Sequence, residues 1–367
     1  MSSPGGGGWS GPASGPRAAL RQLGASDAEI DQAESDGTLP LLSLDRLVDL
    51  APARHDLAAV AARTGLAEDQ IRHLWRSLGF TEPAPGEAVF SDADVEVLAQ
   101  VGAFMADQVV SPDLLVQMSR VIGSSMARNA SAQVDVLVAR TGDAASSPGA
   151  GGHWPDDRVV SSLSTLLPFM PRVLEGTWRR HLHAAARRRM TLVGTGQGTA
   201  RVVGFADLVG FTALSQQVTD AELAAVVDRF EALAFDVVTA RDGRVVKMIG
   251  DEVMFTVAAP PAAAEIALAL AEGTRASDDL SDVRVGLACG PVLEREGDLF
   301  GPVVNLASRI TRIAFPGSIV VAESVRDALA DLPGYELRSM RARHLKDIGR
   351  VPLWVVRRPA DRRRRRE

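Results

Sequence analysis

The chain is poor in cysteine and has no long hydrophobic run. Its 367 residues include one cysteine, Cys289, so no disulfide can form within the chain. We expect Cys289, in the strand-like segment 283–290, to fill the core rather than to react. No apolar stretch approaches the ~20 residues that a transmembrane helix needs, and no charged, apolar and small-residue leader opens the chain. These absences predict a cytoplasmic protein without a transmembrane segment.

An excess of positive charge is also missing. The chain has 40 Lys and Arg against 46 Asp and Glu, which gives a net charge of −6 at pH 7. Such a balance provides no general attraction to nucleic acid. The arginine run 362–366 is a local exception, which we expect to stay solvated; a role at a membrane surface is the lesser alternative.

The length of the chain suits two domains better than one. Residues 1–17 are rich in Gly, Ser and Pro and are predicted to be disordered. A helical regulatory domain is predicted at 18–142 and a linker with switch helices at 143–194. A second domain follows at 195–358, and residues 359–367 form a basic tail.

The predicted helical domain contains a helix-turn-helix pattern. Residues 56–79 have two short helical runs around a Gly-containing turn, and residues 90–99 resemble the next helix of winged DNA-binding regulators. Alone, this pattern would indicate a transcription factor. However, the segment 67–77 is flanked by acids and lacks a basic stripe, so nucleic acid is not expected as a partner.

Polar residues stand at ordered intervals in the second domain. Asp207 ends the strand-like run 200–207, and the segment 245–255 reads as two short strands joined at Gly250 and Asp251, where Gly supplies the positive φ of a hairpin turn. The hairpin tip should bring Asp251 beside Asp207. Two adjacent carboxylates repel each other, and a shared divalent cation relieves that cost. Taken singly, either Asp could be an ordinary turn residue.

A helical segment, 302–312, carries two further polar residues of interest. Asn305 and Arg309 lie four residues apart and therefore share one face of the predicted helix. Arg312 lies three residues beyond Arg309, and we interpret it as a solvated or interfacial charge.

Three segments together resemble a known family. Residues 205–212, 247–252 and 298–309 are similar, in order and spacing, to the three signature blocks of class III nucleotidyl cyclases. The resemblance covers 195–358. It implies an α+β catalytic domain with a ferredoxin-like βαββαβ core and an antiparallel sheet, preceded by an all-α regulatory domain.

The resemblance also implies an activity and its cofactors. The expected reaction converts ATP to 3′,5′-cyclic AMP and pyrophosphate. Asp207, Leu208 and Asp251 would be the metal-binding positions for two divalent ions, Mg²⁺ or Mn²⁺. Lys247 and Asp298 would read the base, because adenine offers an acceptor at N1 and a donor at N6.

The remaining positions carried over from the family contact the sugar and the phosphates. Asn305 would orient the ribose, and Arg309 would stabilise charge in the transition state, since its planar fork binds phosphate oxygens bidentately. The turn at Gly210, Phe211 and Thr212 would offer backbone N–H groups to the phosphates. Lys346 resembles a late phosphate-binding lysine of the family; a plain surface lysine is the alternative.

Class III sites are built between two catalytic domains, and this chain holds one. All six motif residues of the family are present in this chain, namely Asp207, Lys247, Asp251, Asp298, Asn305 and Arg309. The resemblance therefore implies a head-to-tail homodimer with two composite sites. The short spacing between Asp251 and Asp298 suggests a shortened dimerisation arm in a hairpin around residues 294–298.

The helical domain resembles N-terminal regulatory domains of certain bacterial cyclases. The helical segment 173–190 is a candidate switch, and His181 and His183 beside its basic cluster motivate a hypothesis of pH-dependent release of inhibition. Both could equally be solvated linker residues. The apolar segment 114–121 could instead enclose a lipid-like regulatory ligand, and the sequence leaves the choice open.

A second class of function is kept beside the enzyme. The chain could be a weak or silent cyclase-like nucleotide-binding protein whose output is the helix-turn-helix. Silent relatives usually lose motif positions, and none is lost here. A guanylyl cyclase is a third reading, opposed by Lys247 and Asp298.

Overall fold

A computed structural model of the chain describes residues 16–48, 52–145, 169–195 and 200–359. The chain divides into two compact units, Met1–His183 and Ala184–Glu367. The predicted disordered segment 1–17 lies outside the described residues except at its end, where the first helix begins at Pro16. The arginine run 362–366 also lies outside them.

The first unit is helical, as predicted. Its helices are α1 Pro16–Gln22, α2 Asp27–Ser35, α3 Leu39–Val48, α4 Leu57–Thr64, α5 Glu68–Ser77, α6 Asp92–Ala106 and α7 Pro112–Ala145. Capping boxes begin two of them, because the hydroxyls of Ser26 and Ser91 accept from the backbone N–H three residues on. α4 ends at Gly65 with φ 73°, so the two short helices lie around a Gly-containing turn.

The core of the helical unit is small. One buried cluster contains Val60, Ile71, Phe90 and Val95, with the ring of Trp75 4.7 Å from that of Phe90 between centroids. α7 approaches the end of α5 closely at Gly123. A Cβ there would lie 2.2 Å from the carbonyl oxygen of Leu78, so only glycine fits.

Two long helices lie at the two ends of the segment predicted to link the domains, and residues 146–168 between them lie outside the described residues. The predicted boundary after residue 142 falls inside α7, which continues to Ala145. The predicted switch at 173–190 lies within α8, Met170–Thr195. His181 and His183 on α8 are exposed. His153 and residues 146–152 lie outside the described residues.

The second unit is built on a mixed sheet. Its elements are β1 Ala200–Leu208, α9 Phe211–Leu214, α10 Asp220–Thr239, β2 Arg244–Ile249, β3 Glu252–Val257, α11 Pro260–Ala276, β4 Val283–Pro291, β5 Leu293–Arg295, β6 Asp298–Phe300, α12 Pro302–Ile313, β7 Ile319–Ala322, α13 Glu323–Leu329, β8 Glu336–Leu345 and β9 Gly349–Arg357. The large sheet has the order β2-β3-β1-β4-β7-β9-β8, and β5 and β6 form a separate hairpin.

The predicted βαββαβ core is present. It comprises β1, α10, β2, β3, α11 and β4, whose strands lie in the order β2-β3-β1-β4 with antiparallel neighbours. Beyond this antiparallel core the sheet becomes mixed, because β4 and β7 are parallel. The chain passes from β4 to β7 through α12, and such a crossover returns a strand in the same direction.

β1 is an interior strand of the sheet and is buried on both faces. Val202 and Ala206 belong to the larger apolar cluster, while Val203 and Phe205 belong to the cluster on the other face. Between them, Gly204 leaves room for the ring of Phe255, which a Cβ would meet at 2.2 Å. The end of β1 is therefore fixed by packing on two sides.

Cys289 is half-buried on β4 and packs against the larger cluster. Burial raises the pKa of its thiol, which disfavours the reactive thiolate. Core filling therefore describes this cysteine well. Among the described helices, none combines the length and apolar character needed to cross a membrane.

Candidate active site

The end of β1 and the tip of the β2–β3 hairpin lie side by side. Asp207 pairs in register with Glu252 on β3 and with Arg284 on β4. The hairpin turns at Gly250, with φ 63°, and the backbone N–H of Leu208 donates to the carbonyl of Asp251 at 3.1 Å. The Gly-Asp turn thus brings Asp251 next to the end of β1, as its turn chemistry predicts.

Negative charge is concentrated at this point. The side chain of Asp207 is only 14% exposed, and its Oδ2 accepts from Nε of Arg284 at 2.5 Å. Burial raises the pKa of Asp251, and the charge of Asp207 raises it further. One arginine therefore does not offset the repulsion between the carboxylates, so an added cation would stabilise both of them.

Glu252 is a third acid of this group that the sequence analysis did not single out. Burial raises the pKa of Glu252 to about 7, and the charges of Asp207 and Asp251 add to the effect, while Arg312 and Arg284 oppose it. The available signal was its position directly after Asp251, at the start of a strand whose remaining residues are buried.

The donors at this group suit a hard divalent ion. Within residues 16–48, 52–145, 169–195 and 200–359, no three His, Cys, Asp or Glu side chains converge as a complete protein-only metal site. Mg²⁺ takes one or two carboxylates and fills its shell with water and substrate phosphates. Asp207 and Asp251, with the adjacent Leu208 backbone, fit that incomplete kind of site.

A second group joins Lys247 on β2 to Asp298 at the start of β6. Nζ of Lys247 donates to Oδ2 of Asp298 at 2.5 Å, and Oδ1 of Asp298 accepts from the Leu299 amide at 2.8 Å. Arg244 holds the hairpin in place, because it donates to the Gly297 carbonyl at 2.8 Å. An ammonium and a carboxylate are thus presented together.

A third group lies on α12 and the β8–β9 turn. Arg309 lies 3.5 Å from Asp347, measured from Nη2 to the carboxylate, so the helix face and the turn meet. Asn305 is exposed one helical turn earlier, and Lys346 is exposed beside Asp347. Arg312 is exposed too, yet its charge acts on Glu252.

The turn after β1 has the backbone form that the sequence predicts. Gly210 has φ 80°, and α9 begins directly after it at Phe211, followed by Thr212. The turn is anchored by the Val209 amide, which donates to the Asp282 carbonyl at 2.9 Å.

The three side-chain groups remain separate within one chain. Among the described residues, no hydrogen bond or ion pair connects Asp207 or Asp251 to the Lys247–Asp298 pair or to Arg309. Each group is locally organised.

Comparison with known proteins identifies the architecture. Residues 198–357 match the family described as the adenylate and guanylate cyclase catalytic domain. An adenylate cyclase of Streptomyces coelicolor is 34% identical over 78% of this chain and 75% of its own length. This chain belongs to the adenylate and guanylate cyclase family. The family resemblance and the fold class inferred from the three sequence blocks are therefore confirmed.

Further relatives of this cyclase-family chain extend beyond the catalytic unit. A pH-sensitive adenylate cyclase of Mycobacterium tuberculosis is 32% identical over 83% of this chain and 78% of its own length. An uncharacterized protein of the same species is 38% identical over 86% of this chain and 82% of its own length. The crystal structure of the catalytic core of a rhodopsin-guanylyl cyclase is 21% identical, with a TM-score of 0.40, and covers 43% of this chain and 96% of that one.

Proposed function

We propose that this cyclase converts ATP to 3′,5′-cyclic AMP and pyrophosphate. The observation that carries the proposal is the contact of 2.5 Å between Lys247 and Asp298. An ammonium donor and a carboxylate acceptor complement N1 and N6 of adenine. Guanine reverses donor and acceptor at these two positions, so the same arrangement opposes GTP. Relatives named adenylate cyclase are consistent with this choice.

Asp207, Leu208 and Asp251 are proposed to hold two Mg²⁺ or Mn²⁺ ions against the triphosphate. The raised pKa of Asp251 supports this assignment, because it reflects burial and an acidic neighbour that a cation would offset. Bound divalent ions would supply charge neutralisation and a lower pKa for the attacking hydroxyl.

The chain's own side chains position the reaction. The ribose 3′-oxygen attacks the α-phosphorus, the bond to the β-phosphate oxygen breaks, and the 3′-hydroxyl proton leaves to solvent. Asn305 orients the ribose, and Arg309 places its fork on the phosphate oxygens. Lys346 and the backbone of Gly210, Phe211 and Thr212 bind the phosphates, where the charge developing in the transition state is stabilised.

The active form is proposed to be a head-to-tail homodimer. Separation of the three groups within one chain supports this, because the chain carries both halves of a site without joining them. A two-fold dimer would complete two equivalent sites. In each, Asp207 and Asp251 come from one protomer, and Lys247, Asp298, Asn305 and Arg309 come from its partner.

Regulation by the helical unit is proposed, without DNA binding. In α5 the cations are already paired with acids: Arg72 lies 2.7 Å and Arg76 3.6 Å from Glu82. Such pairing leaves little charge for phosphate contacts. A cavity of about 490 Å³ lined by α5 and α7 residues, including His73 and Arg120, offers room for a small regulatory ligand.

Control by pH is the alternative signal at this unit. A relative carries the name pH-sensitive adenylate cyclase, and His181 and His183 on α8 are exposed. Replacement of both with Gln should flatten the pH profile of cyclic AMP formation. An unchanged profile would reject these two histidines as the sensor.

The test of the reaction uses the purified full chain. It is incubated with ATP or GTP in Mn²⁺ and in Mg²⁺, and each cyclic nucleotide is measured beside Asp207→Ala. We expect cyclic AMP, little cyclic GMP and no product from the variant. Equal use of GTP would contradict the role of Lys247 and Asp298. ATP binding without product would favour the silent nucleotide-binding module.

The composite site has its own test. Asp207→Ala and Arg309→Ala should each be inactive alone, since each removes one half of both sites. Mixed in equal amounts, half of the dimers would be heterodimers with one intact site, so about a quarter of the wild-type activity should return. A mixture that stays inactive, with subunit exchange verified, would contradict the dimer arrangement.

A further inference from the structure

A small cavity lies at the end of β1 opposite to the acidic group. Its volume is about 200 Å³, and its lining includes three arginines, Arg188, Arg201 and Arg244. Arg201 is near the start of β1 and Asp207 near its end, so the two are about 20 Å apart at the rise of a strand. The cavity is therefore distinct from the acidic group of Asp207 and Asp251.

The arginines come from three elements of the second unit. Arg188 lies on the exposed C-terminal part of α8, Arg201 on β1 and Arg244 on β2. Thr256 and Leu299 supply buried lining. The Thr256 hydroxyl already donates to the Val202 carbonyl, so the threonine offers no proton to a ligand. Recognition of a ligand would fall on the arginines.

The cavity is lined by more positive than negative side chains. Three arginines face two lining acids, Asp242 and Glu294. Arg244 donates one hydrogen bond to Glu294 at 3.0 Å and one to the Gly297 carbonyl at 2.8 Å, so further N–H donors of its five stay available. Within the described ranges, the guanidinium groups of Arg188 and Arg201 have neither a hydrogen bond nor an ion pair.

The electrostatic state of Arg244 agrees with that imbalance. Burial lowers the pKa of Arg244, Glu294 opposes the shift, and the charges of Arg188 and Arg201 lower the pKa further. Like charges are thus held close together in a partly desolvated place. An anion between them would relieve the repulsion and satisfy unused donors.

We propose that this cavity binds a small tetrahedral oxyanion, such as inorganic phosphate, between Arg188, Arg201 and Arg244. Guanidinium forks match phosphate oxygens in geometry and stay charged at any working pH. The volume suits a single phosphate, whereas pockets for larger ligands start at roughly 300 Å³. The site goes beyond the proposed cyclase function.

The cavity lies close to the base-reading group, Lys247 and Asp298. Arg244 holds the β5–β6 hairpin through Glu294 and Gly297, and Asp298 follows directly. Lys247 lies three residues after Arg244 on the same strand. A bound oxyanion would tie α8 to β1 and β2 at this point, so α8 would be coupled to the strand that carries Lys247.

Calorimetric titration of the full chain with inorganic phosphate tests the site, at constant ionic strength and without divalent metal. We expect saturable binding of one phosphate per chain. Arg201→Gln and Arg188→Gln should each weaken it at least tenfold. Arg189→Gln removes the same charge from the next, exposed position of α8 and should leave the affinity unchanged.

Several results would overturn the proposal. Absence of saturable binding would do so, as would equal binding by the wild type, Arg201→Gln and Arg188→Gln. Loss of affinity in Arg309→Ala but not in Arg201→Gln would assign the phosphate to the proposed active site. Association with phosphatidic acid vesicles but not with free phosphate would assign the arginines to a lipid headgroup. No ATP is used, so failure here is distinct from failure of the cyclase reaction.

Discussion

The two units differ in which side chains they bury and which they expose. In the cyclase unit, Asp207, Asp251 and Glu252 are held together at the end of a buried strand, and the apolar residues of that strand are covered on both faces. In the helical unit, charges are paired at the surface, as for Arg72 with Glu82. Its helix α7 leaves an apolar row exposed, which comprises Leu114, Met118, Ile122 and Met126.

This difference teaches where the chemistry is concentrated. A strongly shifted pKa marks a place where the protein holds an ionisable group in surroundings that disfavour its charged form, and such places are commonly functional. The pKa of Glu252 reaches about 7, whereas the surface pair of Arg72 and Glu82 stabilises the charged form of both partners. The helical unit therefore has a surface suited to contacts, and the cyclase unit has the group of acids that we propose to take part in the reaction.

The sharpest test of this contrast removes one buried acid. Asp207→Ala should lower the rate of cyclic AMP formation about a hundredfold or more, because a preorganised charge in a site of this kind contributes on that scale. The matched control is Asp236→Ala, on the exposed face of α10, which should keep wild-type activity. Circular dichroism verifies that both variants fold. Activity retained in Asp207→Ala would break the assignment of chemistry to this group.

Overpacking β1 should be the largest effect on stability. In Gly204→Val the new side chain would meet the Phe255 ring, since even a Cβ would lie 2.2 Å from it. We expect a loss of about 1–3 kcal/mol in the free energy of unfolding, or failure to fold. Urea denaturation, followed by a signal that reports on the unit 184–367, measures this loss of stability. A neutral result would show that the sheet can repack at its centre.

Glu252 should make stability depend on pH. Its folded pKa of about 7 exceeds the ordinary value of 4.5, so the folded state holds its proton more tightly than the unfolded chain. The contribution is fully present below pH 4.5 and is lost as pH rises through 7.

Glu252→Gln removes that dependence. As the pH rises from 4 to 8, the free energy of unfolding of the variant should increase by about 1–3 kcal/mol relative to that of the wild type. The measurement is made with a chelator present. Glu231→Gln, on the helix α10, serves as a control with a smaller expected change. Parallel pH curves for the wild type and Glu252→Gln would show that Glu252 is solvated.

The smallest expected effect lies on α8. A Cβ at Gly176 meets nothing within 4 Å, and alanine is the better helix former by about 1 kcal/mol. Gly176→Ala should therefore raise the midpoint of thermal unfolding slightly or leave it unchanged. By contrast, Gly123→Ala on α7 should destabilise the helical unit, because its Cβ would clash with Leu78. Equal behaviour of the two variants would contradict the close approach at Gly123.

Local patterns predicted several elements well. The hairpin at Gly250 and Asp251 follows from turn chemistry, and the helix around Asn305 and Arg309 follows from periodicity, so both were accessible from short segments. The end of a helix is less accessible from composition. α7 continues to Ala145, beyond residue 142, where the helical domain is predicted to end.

Contacts between distant segments were not accessible in this way. Arg284 lies 77 positions from Asp207 in the chain, yet it donates to that carboxylate. The arginine cavity likewise draws on α8, β1 and β2. No local period or motif encodes such pairings, since they depend on strand order and register.

The sequence by itself determined the family, the βαββαβ core and the six motif positions, because these depend on local periodicity, turn chemistry and ordered spacing. The tertiary structure alone decided the parallel pairing of β4 with β7, the place of Glu252 and Arg284 beside Asp207, and the gathering of three arginines around one cavity. Burial and electrostatic fields arise only when segments far apart in the chain are packed together, and these are what set the pKa of a side chain and its partners.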